Sequence, residues 1–286
     1  MVSRIVKAVP GTLPRCMEGK ARMKKPDGSQ SPVTRTGLRS LVPLLIVTIL
    51  LAGALVHSTP AQGPATILYV DADATGAGDG SSWGDAYIYL QDALDRANAA
   101  AGSPLEIWVA AGIYYPDLDS DAGHVPGSRD ESFTLTRDGV RLYGGFDPGS
   151  GITSFDQRDP AEHVTVLSGD VGRDDDDADG NGIAETWAGV QGGNAHHVLY
   201  LDGRAPHPIT GETVIDGFVI TGGQADGSWP GDRGGGIYCR AEQAGSVCNP
   251  ALVALAFHGN QAVNGGALFN DGPHGGVSSP TLERVV

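Results

Sequence analysis

From Thr66 onward the apolar positions come in short bursts, cut by Gly, Asn, Asp and Ser. "TILYV" at 66–70 and "LEIWVA" at 105–110 predict strands, and Gly112-Ile113-Tyr114-Tyr115 opens a further turn. Strands are also predicted over Glu131 to Thr136, Val140 to Phe146, His163 to Leu167, Val198 to Leu201 and Thr213 to Thr221. Only one segment repeats at helical spacing. In Ala86 to Ala101 the residues Ile88, Leu90, Leu94 and Ala97 recur on one face, Asp85 stands at the N-cap position and Gly102 comes just after the end. The preceding 71–85 stretch, "DADATGAGDGSSWGD", is turn residues almost throughout.

The pattern then recurs. Within "FHGNQAVNGGALFN" (257–270) the density of Gly excludes a helix, at about 1 kcal/mol per glycine. Gly235-Gly236-Ile237-Tyr238 returns 30 residues later as Gly265-Gly266-Ala267-Leu268, and Pro250-Ala251-Leu252 returns as Pro280-Thr281-Leu282. Val247 matches Val277, Leu255 matches Val285 and Ala256 matches Val286 at the same offset. A looser copy lies in Gly217 to Ala225, which resembles Leu255 to Ala262. A period of this length marks a repeat architecture. Short β-branched steps between tight turns make it an all-β parallel solenoid, each coil supplying a few strands. The lone helix before them suits an end cap, because an open coil exposes unpaired backbone groups.

Charge divides the chain near residue 61. Nine of the Lys and Arg residues and only two acids precede Ala61; ten arginines and thirty-two acids come after it, a net charge of −22 without a single lysine. Phosphate binding requires clustered Lys and Arg, so nucleic acid is excluded as a partner. Leu41 to Val56 is an apolar run behind Arg35 and Arg39, and Thr59-Pro60-Ala61 offers small residues where signal peptidase cuts. Either a cleaved signal peptide or a retained anchor exports the chain downstream of it; the leader is long, and Met23 is an alternative start. The expected organisation is a leader over 1–61, a cap with the first coils over 62–146, and repeats over 147–286 with an acidic insertion at 170–195. "SPTLERVV" at the end matches the opening of a further coil.

Three places carry candidate chemistry. Asp175, Asp177 and Asp179 with Gly180 match the D-x-D-x-D-G opening of a calcium loop, and Asn181 and Glu185 would extend the shell. Glu185 stands one position early and no helices flank the loop, so a solvated acidic loop is the equal alternative. Cys239 and Cys248 share one repeat in an exported segment, which favours a disulfide over two free thiols; Cys16 lies in the leader. Trp187 and Trp229 sit in predicted loops and are candidates for carbohydrate contact, whereas Trp108 belongs to a strand. His196-His197 are read as strand neighbours facing opposite ways, unable to share an ion, with His197 at the strand start. Asn260 and Asn270 are expected to bond the turn backbone.

The motifs "YVDADATGAGDGSSWGDAYIYLQDALDRA", "EIWVAAGIYYP", "GVRLYGGF", "QRDP", "TVLSGD", "VIDGFVITGG" and "GGGIY" resemble, in order, those of bacterial right-handed parallel β-helix repeat proteins of the pectin-lyase-like superfamily. Phe257-x-x-Asn260 and Gly265-Gly266-Ala267-Leu268 resemble the repeats of polymorphic outer-membrane proteins. The resemblance implies an exported solenoid at the cell surface or outer membrane, acting as a scaffold or adhesin toward a cell-surface polysaccharide or a host or neighbouring surface. Membrane attachment would come through the N-terminal segment or a C-terminal anchor beyond residue 286. Its enzymatic members imply the alternative, a polysaccharide lyase or glycoside hydrolase; a carbohydrate-binding module is the third reading. Lyases of this fold use acidic calcium ligands with an Arg base, but Arg204, Arg233, Arg240, Asp202, Asp216 and Asp232 fall in no motif of those enzymes, and the hydrolase signatures are missing.

Overall fold

Thr66–Val70 buries Leu68 and Val70 on one side, and Ile107, Leu142, Ile215 and Leu252 of later strands are buried in turn. The structure, a computed structural model, describes residues 65–100, 102 and 105–286. The leader, the Leu41 to Val56 run, the Thr59-Pro60-Ala61 site, Met23 and Cys16 lie outside the described residues. Among the described residues no helix is long and apolar enough to cross a membrane.

Among the described residues the protein is mainly β, its strands parallel and its one α-helix, Leu90–Ala99, ahead of most of them. A six-stranded sheet takes Thr66–Val70, Leu105–Ala110, Val140–Phe146, Val214–Asp216, Ala251–Val253 and Thr281–Glu283 as successive neighbours. A second sheet takes Gly112–Tyr114, Thr165–Ser168, Val219–Thr221 and Ala256–His258, and a third takes Phe133–Leu135, Leu199–Asp202, Ile237–Arg240 and Leu268–Asp271. From Leu105 the chain visits the first, second and third sheets in that order and then begins again. This cycle is consistent with an all-β parallel solenoid. The stretches 62–146 and 147–286 contribute to the same three sheets.

Register explains the sequence pattern. Leu68, Ile107, Leu142, Ile215, Leu252 and Leu282 stand in one column of paired positions. Tyr114, Leu167, Ile220 and Phe257 form a second column, and Phe133, Leu199, Ile237 and Leu268 a third. Most of these side chains belong to one continuous buried core, and each fully buried aliphatic contributes about 1.5–3 kcal/mol. A second aromatic cluster lies apart from it, where Trp108 stacks on Phe146 at 4.7 Å.

The repeat holds with one adjustment. Val247 pairs with Val277 and Leu252 with Leu282, as the offset of 30 requires. Ile237 instead pairs with Leu268, one residue beyond Ala267, so a single-residue difference in the turn between the two strands shifts the register. Val219 to Ala225 pair with Ala256 to Ala262 at the looser repeat. Turn glycines answer to close backbone approach within a coil: a Cβ on Gly223 would stand 1.9 Å from the Gly235 carbonyl oxygen. Asn260 stitches the same turn, its Nδ2 donating to the Ile220 carbonyl at 2.7 Å and its Oδ1 accepting from Gly223 N at 2.9 Å.

The helix is shorter than its periodicity predicts. It spans Leu90–Ala99, with Tyr89 at the N-cap and no side-chain cap. Asp85 does not cap it. That carboxylate closes the 71–85 loop, accepting from Ala77 N at 2.9 Å and from the Ser82 hydroxyl at 3.2 Å. Ile88 lies outside the helix and is exposed, whereas Leu90, Leu94 and Ala97 bury against the core.

Candidate functional site

The third sheet carries a cleft of about 500 Å³ on its outer side. Thr134 and Tyr200 are paired positions on neighbouring strands, Tyr200 pairs with Tyr238 on the next, and Arg240 lies two residues beyond. His196, His197 and the loop residues Ser228, Trp229 and Pro230 complete the walls, with Asp130 at the edge. Volumes of roughly 300–1,000 Å³ are those of small-molecule sites.

The loop that carries Trp229 is held from both sides. Gly227 N donates to the Gly231 carbonyl at 2.9 Å, which closes the loop, and both glycines pack against the His196 ring. Arg129 anchors its start, donating to the Gln224 carbonyl at 2.9 Å and to Asp226 Oδ1 at 2.6 Å. Trp229 is left 54% exposed, with the Arg240 guanidinium 5.2 Å from its ring centre. An exposed ring on a braced loop is a stacking surface.

Beneath it lies a polar aromatic floor. The His197 ring stacks on Tyr200 at 5.9 Å and lies 4.9 Å from Tyr238. Its Nδ1 lies 3.1 Å from the Gly234 carbonyl, so Nδ1 is the donor. Burial lowers its pKa to about 4, leaving a neutral ring at ordinary pH. Arg240 Nη1 donates to Tyr200 Oη at 3.0 Å and Nη2 to Glu242 Oε2 at 2.8 Å. His196 and His197 precede the strand, which starts at Leu199, so strand alternation does not separate them and both line the cleft. Reading them as opposite-facing strand residues misses this.

The acidic loop spends its carboxylates differently from the expected ligand shell. Asp177 accepts from Asn181 N at 2.9 Å and Gly182 N at 2.8 Å, closing its own turn. Asp179 accepts from Asn181 Nδ2 at 2.9 Å, and Glu185 lies 3.7 Å from His258. Of the five expected ligands only Asp175 joins a convergent group, with Asp170 and Asp174, whose carboxylate oxygens lie within 4.8 Å of one another. Asp175 accepts from Gln191 N at 2.7 Å and Asn194 Nδ2 at 2.8 Å. Burial raises its pKa to about 6, against those bonds, and the Asp170 and Asp174 charges add to the rise.

Cys239 and Cys248 are bonded, with Sγ atoms 2.06 Å and Cα atoms 5.8 Å apart. Trp187 stands 68% exposed on the Trp187–Gly189 turn and does not line the Trp229 cleft. The charged residues weighed for lyase chemistry are dispersed into separate pairs. Asp216 takes two bonds from Arg158, at 3.0 and 2.7 Å, Asp202 takes Arg204 at 2.7 Å, and Arg233 spans Asp232 and Asp271 at 3.5 and 3.3 Å. Comparison with family models, with curated proteins and with solved structures finds none that matches the chain.

Proposed function

We propose that the chain is an exported right-handed parallel β-helix of the pectin-lyase-like kind, serving as a surface or envelope scaffold that binds saccharide through the Trp229 cleft without cleaving it. The observation that carries the binding is the exposed Trp229 ring on a braced loop over Tyr200, His196 and His197. An apolar ring flanked by hydroxyl, imidazole and carboxylate groups matches a sugar, which has one face of C–H groups and a rim of hydroxyls. Turnover would require more. Glycoside hydrolysis uses two carboxylates set across the scissile bond, and among the described residues Asp130 is the one carboxylate lining this cleft. Arg240 is a poor base, since its Glu242 and Tyr200 bonds outweigh burial and hold its pKa above the ordinary value.

A structural calcium ion in the acidic loop belongs to the same reading. What supports it is the convergence of Asp170, Asp174 and Asp175. Such an ion would order the 170–195 insertion and take no part in binding sugar.

Retention on immobilised polysaccharides tests the binding. Trp229→Ala should lower affinity at least tenfold, about 1.4 kcal/mol, and leave the melting temperature nearly unchanged because the ring is half exposed. Equal retention of wild type and variant would remove the cleft from the function.

A further inference from the structure

The exported part of the chain is strongly acidic, and the placement of its few cations decides which saccharides the cleft accepts. Most of the arginines after residue 61 are ion-paired with Asp or Glu, among them Arg129, Arg141, Arg158, Arg173, Arg204, Arg233, Arg240 and Arg284. Among the described residues lining the cleft the only guanidinium is that of Arg240. Glu242 holds its Nη2 at 2.8 Å, the Tyr200 hydroxyl takes Nη1, and its Nε is shut off from solvent. The pair is largely buried, with the two side chains 12% and 18% exposed, so the carboxylate neutralises the cation at short range in a medium that screens weakly. The charge left open at the edge is negative. Asp130 is 94% exposed in its side chain and lies 3.9 Å from His196 Nε2. Buried His197 adds no positive charge above about pH 4.

From this geometry we infer that the cleft selects neutral oligosaccharides and rejects uronate-containing ones, an inference that rests on the saccharide-binding reading of the Trp229 site. Carboxylate recognition uses an arginine fork free to make two parallel bonds. Here the fork is already engaged by Glu242 and Tyr200, so a uronate would have to displace Glu242 or leave its own carboxylate unpaired near Asp130. A neutral sugar meets no such conflict: its ring stacks on Trp229 while Asp130, Ser132, Thr134 and His196 face its hydroxyls. The cleft discriminates by an occupied cation, not by a missing one.

Isothermal titration of the exported chain with sugars of matched length tests this. The neutral probes are the hexamers of cellulose, xylan, mannan and laminarin; the anionic probe is hexagalacturonate, all at low ionic strength, where a hidden attraction for anions would be strongest. The expected result is that at least one neutral hexamer binds tenfold or more tighter than hexagalacturonate. Glu242→Gln, which uncovers the guanidinium, should improve hexagalacturonate affinity at least threefold and leave the neutral ligand within twofold. Hexagalacturonate binding as tightly as the best neutral probe in the wild type would overturn the inference while leaving saccharide binding intact. An unaltered preference in Glu242→Gln would overturn it as well. No heat with any hexamer would remove the saccharide reading and the inference together.

Discussion

His197 and Asp175 are both withdrawn from water, with opposite consequences for stability. The His197 imidazole stays neutral in the fold down to about pH 4, while in the unfolded chain it protonates near its ordinary value of 6.5. Between those values the unfolded state binds more protons, so this contribution is lost as pH falls through the window. Asp175 runs the other way. Its folded carboxyl protonates near pH 6 against an ordinary 3.8, so its contribution is complete below 3.8 and is lost as pH rises through about 6. The two effects overlap and partly cancel in the wild type, and single variants separate them. In calcium-free buffer Asp175→Asn should stabilise the protein relative to wild type more at pH 7.5 than at pH 4.5, read as the difference in melting temperature; a difference independent of pH would contradict the burial of that carboxyl. Imidazole resonances followed by NMR should show His197 still neutral at about pH 5, where a histidine of the unfolded chain is already protonated.

Two turns between strands are fixed by specific devices, a disulfide in one and a glycine with its asparagine in the other. The bond between Cys239 and Cys248 joins a strand of the third sheet to the short Val247–Cys248 strand next along the chain. Closing so short a loop stabilises by about 2–3 kcal/mol on the chain-entropy model, and replacing both cysteines by Ala should cost at least that in chemical denaturation. Gly223→Ala should be more damaging than an ordinary surface change, because its Cβ would meet the Gly235 backbone of the same coil and that turn would have to open. In the 170–195 insertion, calcium should bind at roughly 10⁻⁴–10⁻³ M, the range of extracellular sites, and raise the melting temperature at about 10 mM. Asp170→Asn should abolish that rise; calorimetry with neither heat nor a melting shift in the wild type would leave the carboxylates as a loop held by its own amide bonds.

Across the whole molecule, what was legible in the sequence was what repeats. Leu252 and Leu282 announce their shared column because the same apolar choice recurs every coil, and the strand at 66–70 is legible from its composition alone. The start of the helix was not, since Ala86 to Tyr89 continue the helical spacing while Tyr87 is committed to a bridge with Val70. Trp229 could be picked out as a loop aromatic. The cleft around it could not, because Thr134, Tyr200 and Arg240 come from separate coils and only the register brings them together. The acidic loop misled for a related reason: D-x-D-x-D-G spacing fixes which carboxylates are near in sequence, whereas Asp177 turned to its own backbone and Asp170, outside the motif, turned toward Asp175.

Binding without turnover can be put to one decisive trial. The protein is incubated at length with the polysaccharide that retains it, and bound protein and soluble products are measured in the same tube. The expected outcome is saturable binding that Trp229→Ala weakens at least tenfold, with no new reducing ends and no unsaturated sugars above the protein-free control. Reducing ends or unsaturated products that accumulate with wild-type protein would contradict it.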